Sequence, residues 1–378
     1  MKERKSAVSK KWLFSLGSLG LIVAVLAAVT FAVFSPRSAA RAAGPQLPHV
    51  GKLSARYAVD NLGSQTGAIA NSGGGSPTIP TWSSAFTYNG VNYPYTMVGT
   101  NPSDGSVTTT VPTEIIPIDL SFSSGIALDG TKKVGPTIAS PIFRNAQFTS
   151  GHTQYGDAIQ RQEFWTYVST VSHQYHVLLG HPTVYPTLSV NVPANKGQVV
   201  LTSTGVEVGL VDYNWWGVKI LSWINQLGIQ PNTLPIFLTY NTVLYIGSTS
   251  NCCVIGFHGV TRAFHTKQTF SWASWTDPGI FSVPIQDVNA LSHEVAEWYN
   301  DPYTNNIVPN WSVPSEPQYG CSNLLEVGDP LVGVAFNVNG YTLQDEASYS
   351  WFAHQVPSLN QNGEYSYLGT FTSPAPGC

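Results

Sequence analysis

The stretch that constrains this chain most is IQDVNALSHEVAEWYNDP, residues 285–302. Its apolar residues recur at helical spacing. Pro284 stands in front and Asp301-Pro302 behind, so the pattern predicts a helix within 283–302. The apolar flanks VNAL and VA predict that this helix is mostly buried. Yet His293, Glu294 and Glu297 fall within five residues of each other, in a chain that is only 10% charged. Buried carboxylates need partners, so the fold must bring counter-charge or a cation to this helix. At i and i+4, His293 and Glu297 share a face and can converge on one ion. Zinc-binding helices of the form H-E-x-x-H use that spacing, and here a glutamate holds the second ligand position. Carboxylate oxygen binds zinc at about 2.0–2.2 Å, and its charge weakens the ion as a Lewis acid. Glu294 is then the candidate general base acting on water. The competing reading of the same string is a helix with a core histidine and solvated glutamates.

The first 44 residues predict a targeting segment, either a signal peptide or a signal-anchor. A basic start, MKERKSAVSKK, precedes an uncharged run at 12–34, and Ala40 and Ala42 follow as an A-x-A cleavage site. Either form puts the rest of the chain outside the cytoplasm, secreted or anchored, and limits membrane contact to that apolar run. Residues 1–42 carry seven of the 17 basic residues and one of the 21 acidic ones, so the remainder has a formal charge of about −10. That excludes nucleic acid and anionic lipid as natural partners. The oligomeric state is not legible. The four cysteines, Cys252, Cys253, Cys321 and Cys378, predict disulfides in an oxidising compartment. Adjacent cysteines rarely pair with each other, so the expected scheme joins Cys252 and Cys253 to Cys321 and Cys378.

Residues 45–85 are expected as a Gly/Ser-rich linker, centred on NSGGGSPTIPTWSS, before one domain over 86–378 whose N-terminal β part covers about 86–130. Asn89-Gly90 predicts a hairpin turn. Strands are expected in 106–122, 183–193, 197–204, 233–247 and 263–275, and helices at 153–169 and 209–228, the second ending at Gly228. Strand, helix, strands, helix is an α+β order. NWW and SWASW are expected as core or hairpin aromatics rather than sugar-stacking surfaces.

A second acidic pair in an apolar setting, Glu326 and Asp329, occurs in NLLEVGDPL (323–331). ALSHEVAEWYNDP followed after some 25 residues by EVGDP resembles the Exordium/phosphate-induced protein family and its bacterial relatives. SNCCVIGFHG, TQYGDAIQRQEFW, YHVLLGHPTVYP and YSWFAHQ add to the likeness, which covers about 110–378. It departs from the family where Pro330-Leu331 replace the cysteine usual after E-x-G-D. The resemblance implies a zincin-like α+β domain with a mixed sheet, a late metal-binding helix and a Zn2+ site. A helix supplies only two ligands, so the third comes from elsewhere: His258, Glu326 or Asp329. In zincin folds a carboxylate third ligand follows the motif helix. That implies Glu326 on the metal, with Asp329 either orienting His293 or serving as an alternative ligand. His152, His173, His176, His181 and His354 have no ligand spacing that points to a site.

Two functions fit. One is a secreted or surface-anchored zinc-dependent hydrolase, a peptidase acting on extracellular peptide. The other is a non-catalytic extracellular protein of Exordium-like fold that binds cell-wall polymer or signals, with a structural or vestigial metal site.

Overall fold

The computed structural model describes residues 46–57, 78–171, 173–263 and 266–378. The targeting segment 1–44 and the glycine run at 73–75 lie outside the described residues. Among the described residues no helix is long and apolar enough to cross a membrane.

The chain is α+β, built on a curled mixed sheet. Thr113–Phe122 lies at its centre, parallel to Leu234–Tyr240, which is parallel to Thr266–Trp275. Gly256–Ala263 closes that side as an antiparallel edge strand, with His258 opposite Ser271. On the other side Thr183–Val184 and Leu188–Val192 run parallel to Thr113–Phe122. A second sheet has the order His49–Val50, Gly197–Thr202, Glu207–Asp212, Thr242–Tyr245, Cys252–Val254.

Strand side chains alternate between faces, and that alternation sorts the core. Ile116, Phe237, Phe257 and Trp272 point to one face, where the helix Tyr213–Gln226 packs with Trp216, Ile220 and Ile224. Ile115, Ile236, Leu238 and Ala273 point to the other, against the motif helix Asn289–Asn300 and the helix Tyr155–Glu163. Since Phe257 takes the first face, His258 takes the second. Ser271 and Ala273 are small, which lets the motif helix approach the sheet closely. Trp216 and Trp272, from NWW and SWASW, are buried core residues.

The structure sharpens several boundaries. The Asn89-Gly90 hairpin joins Thr81–Tyr88 to Val91–Val98, and both turn residues have positive φ, as a twisted two-residue turn requires. Its first strand begins inside the expected 45–85 linker. The start of that linker is also ordered: His49–Val50 joins the second sheet, and Arg56 exchanges backbone hydrogen bonds with Cys253 and Ile255. Open strand edges bind these residues because they need no side-chain complementarity. In 209–228, GLVD belongs to a strand, and the helix starts only where Asp212 caps the Trp215 N–H at 2.8 Å. Its end carries the paired Gly228-to-Asn225 and Ile229-to-Ile224 bonds of a Schellman stop. The apolar run 233–247 splits at Asn241 (φ 44°) into two strands of different sheets.

The cysteine scheme differs from the expected one. Cys252 is bonded to Cys253, and Cys321 to Cys378. The tail explains the second bridge: Ala375 bonds to Trp351 and Ser312 to Pro376, which lays Cys378 beside the strand at Ser322–Leu324. The first pair stays together on the edge strand Cys252–Val254.

Candidate metal centre

The motif helix spans Asn289–Asn300 and all twelve of its residues are buried. Its start is fixed from outside. Ser292 Oγ accepts the Gln344 N–H at 3.1 Å, and the Asp287 carboxylate accepts the Thr342 N–H at 3.0 Å. Its end is set by Asp301, whose carboxylate accepts the N–H groups of Asn305 and Asn306, both at 2.9 Å, and turns the chain. That turn sends the chain on towards Glu326 and Asp329.

Glu297 is the hub. Its Oε1 lies 3.0 Å from His293 Nε2, and Asp329 Oδ1 lies 3.7 Å from the same nitrogen. Its Oε2 lies 3.5 Å from His258 Nδ1, which is also 3.3 Å from Glu294 Oε2. The ligand atoms therefore form two triads, His293–Glu297–Asp329 and His258–Glu294–Glu297, each with all atoms within 4.8 Å of one another. Ligands about 2.1 Å from a tetrahedral ion stand about 3.4 Å apart, so both triads have the spread a zinc-sized cation needs. Glycines make the packing possible. A Cβ on Gly328 would overlap the His293 ring, and one on Gly256 would overlap Glu294.

Each residue expected from the sequence is in this buried cluster, but the roles shift. His293 and Glu297 converge as the i, i+4 spacing requires. The third position beside them belongs to Asp329 and not to Glu326. Asp329 also does not orient the remote nitrogen of His293, because that nitrogen faces Gln344 Nε2 at 2.8 Å. Glu326 turns the other way, its Oε2 3.9 Å from His258 Nε2. Glu294 stands in the His258 triad, and its charge also acts on the Asp329 carboxyl. His258, the candidate upstream of the helix, is the residue whose place the sequence left most open. Strand alternation was the signal that could have found it, since GFHGV puts His258 opposite to Phe257. His176 is accounted for elsewhere, by Asp157 at 2.8 Å.

The electrostatics are those of trapped charge. Burial, the largest influence, lifts the Glu294 carboxyl to about 7 against the pull of His258 and His293. Glu297 feels the same burial, but His293 and His258 together hold it down at about 2. Burial and the neighbouring Glu297 push both Glu326 and Asp329 well above the carboxylate range. For His258, burial pulls downward, but Glu326, Glu294 and Glu297 outweigh it and the imidazole is raised well above its usual value. His293 Nε2, Glu294 Oε1, both oxygens of Glu326 and Asp329 Oδ1 have no hydrogen-bond partner. Unpaired buried polar atoms cost about 1–3 kcal/mol each, and these groups could hold a cation.

The centre is closed. Tyr57 lies over His293 with ring centroids 3.4 Å apart and planes 9° from parallel. Its N–H donates to Tyr319 Oη at 2.9 Å, and Tyr319 in turn hydrogen-bonds to Asp329. Tyr57 is only 4% exposed, and its own hydroxyl has no partner. No signal in the sequence marked Tyr57 or Gln344, since both act across long separations. No family model, curated protein or solved structure matches the chain.

Proposed function

We propose that this chain is an extracytoplasmic zinc-dependent hydrolase of zincin type, taking peptide as substrate, with its centre shut in the conformation described. The observation that carries the reading is the convergence of His293, Glu297 and Asp329 within 4.8 Å, with the Glu294 carboxyl, lifted by burial, next to His293 in the chain. Nitrogen and carboxylate oxygen are acceptable zinc donors, and the orphaned His293 Nε2 and Asp329 Oδ1 point to a missing partner. These three residues would hold the ion. When bound, zinc supplies Lewis acidity toward a carbonyl oxygen. Glu294 holds or releases a proton at Oε1, Gly328 gives His293 room, and Tyr57 keeps water out. The Cys321–Cys378 bridge supports an oxidising compartment.

A second reading has its own observation. Structural zinc sites are closed, whereas catalytic ones keep an open position, and here Tyr57 covers the only histidine of the first triad. A separate surface cleft of about 410 Å3, lined by Phe86, Tyr88, Tyr349 and His354 among others, could take a sugar ring. On this reading the ion is structural and the protein binds cell-wall polymer.

A broad peptide-library digest decides between them. Zinc-loaded full-length chain and its Tyr57→Ala variant are assayed with and without a chelator. The hydrolase reading expects chelator-sensitive cleavage that rises in the variant. No cleavage by either protein, with zinc measurably bound in both, leaves the structural reading standing.

A further inference from the structure

The two triads share one residue and use different atoms of it. Glu297 places Oε1 3.0 Å from His293 Nε2 and Oε2 3.5 Å from His258 Nδ1, and belongs to both groups. A carboxylate used in this way is a bridge between two cations. The geometry points to a second divalent-cation site, formed by His258, Glu294 and the Oε2 of Glu297, so that the centre is dinuclear.

Three independent observations support it. The first is the state of His258. Its Nε2 lies 3.1 Å from the Asp301 carbonyl, which can only accept, so Nε2 carries the hydrogen. Nδ1 then faces two carboxylate oxygens, 3.3 and 3.5 Å away. Three acceptors facing one another repel unless a proton or a cation stands between them. A hydrogen bond from the remote nitrogen to a carbonyl is also how proteins fix a metal-binding imidazole. The second is the number of donors. Four buried carboxyl groups, Glu294, Glu297, Glu326 and Asp329, gather around two histidines, more than the ligand set of one ion needs. The third is Glu326, which is 1% exposed with neither oxygen hydrogen-bonded, on the His258 side of the cluster. A single ion at His293 and Asp329 leaves that carboxylate without a purpose. In two-metal sites the ions stand about 3.5–4 Å apart, a span one carboxylate bridges.

The inference rests on the metal reading above and deepens it. It also gives Glu294 a different task, as a ligand of the second ion in place of a proton carrier.

The test is metal stoichiometry with a spectroscopic readout. Full-length chain is stripped with chelator, loaded with Zn2+ and analysed for metal per chain. Two ions are expected. One ion overturns this inference and leaves the single-ion reading intact, with a proton on His258. No ion overturns both. His258→Ala and Glu294→Gln should each lower the count from two to one, whereas a full count in either variant overturns the assignment of that residue. Loading with Co2+ guards against misfolded variants, because it uses the native chain. The second equivalent should suppress the paramagnetic resonance signal of the first, as ions coupled through one carboxylate do. Two equivalents with independent, additive signals would place the second ion elsewhere and refute the bridge.

Discussion

The two sides of Glu297 hold the same kinds of atoms but differ in how their histidines are prepared. His258 donates its remote hydrogen to a backbone carbonyl, which leaves its inner nitrogen free to bind. His293 receives the Gln344 amide on its remote nitrogen at 2.8 Å, so its inner nitrogen carries the hydrogen and faces Glu297 at 3.0 Å. The first arrangement suits a cation. The second is a close approach that no hydrogen bond completes, and it must lose a proton and turn the Gln344 amide before it binds a cation. The motif that stands out in the sequence therefore marks the less prepared half of the centre. Ligand spacing on a helix tells which side chains can converge. The groups behind the ligands tell which state they are in.

The largest effect should come from the residue both sides share. Glu297→Ala is expected to lose all bound zinc and to destabilise the zinc-loaded protein by about 3–5 kcal/mol, the range for breaking a buried charge pair. Metal analysis and thermal unfolding check it. A variant that keeps one tightly bound ion would show that one side closes without Glu297, and the comparison would have to be redrawn around two separate sites.

The next test asks what a buried carboxylate costs here when no histidine faces it. Glu163 is such a group. Its Oε1 meets the Asn300 amide at 3.3 Å, and the Tyr349 backbone also faces the carboxyl. Burial pushes its carboxyl from 4.5 up to about 8. The folded protein thus binds this proton more tightly than the unfolded chain. The resulting stability is fully present below pH 4.5, falls as pH rises, and is gone above about 8. Glu163→Gln has no such proton to lose. It should match the native protein in acid and exceed it by several kcal/mol, up to about 5, above pH 8. Parallel stability curves for the two proteins would mean that burial alone is tolerated in this core. The orphaned oxygens of Glu326 would then no longer require a cation.

The sequence was most legible where the physics is local. The motif helix, the Asn89-Gly90 turn and the Gly228 stop each depend on a few consecutive residues, and each is in place. It was less legible where residues meet across the chain. Tyr57 sits in a stretch that looks like linker, because a strand-edge contact through backbone atoms leaves no side-chain pattern. Gln344 is an ordinary strand residue until the fold puts it behind His293. Glu326 and Asp329, three residues apart with Val327 and Gly328 between them, could be recognised as site residues but not told apart, since the turn between them aims them at different histidines. The disulfide scheme failed for the same reason: four cysteines fix a number of bridges, not which ends the fold brings together.

Gln344 offers a direct way to sharpen the difference between the two sides. Gln344→Leu keeps the volume and removes the amide from His293 without touching His258. Loss of a group that orients a ligand costs about 10–100-fold in metal affinity. That loss should appear in one of the two binding steps of a zinc titration and leave the other unchanged. Equal weakening of both steps would mean that the sides are not distinguished by their supporting groups.

The smallest effect should come from the Tyr57 hydroxyl. Two features of Tyr57 can be separated by substitution, the ring that covers His293 and the hydroxyl that has no partner. Tyr57→Phe keeps the ring at its 3.4 Å stack and removes an unsatisfied buried oxygen. An unpaired buried hydroxyl is a net cost, so in the metal-free protein this variant should be unchanged or more stable by up to about 1 kcal/mol. Tyr57→Ala removes the cover as well, which should speed zinc removal by chelator severalfold because solvent then reaches His293. The comparison between the triads makes the prediction specific. Tyr57 stacks on His293 and its backbone N–H bonds Tyr319, so Tyr57→Ala should accelerate release of the ion held there more than release of the His258 ion. Two distinct chelation phases, of which one responds more strongly, is the expected record. If Tyr57→Phe alone weakens zinc binding tenfold or more, the hydroxyl is a ligand and not a bystander. The closed appearance of the centre would then come from a fourth donor already in place.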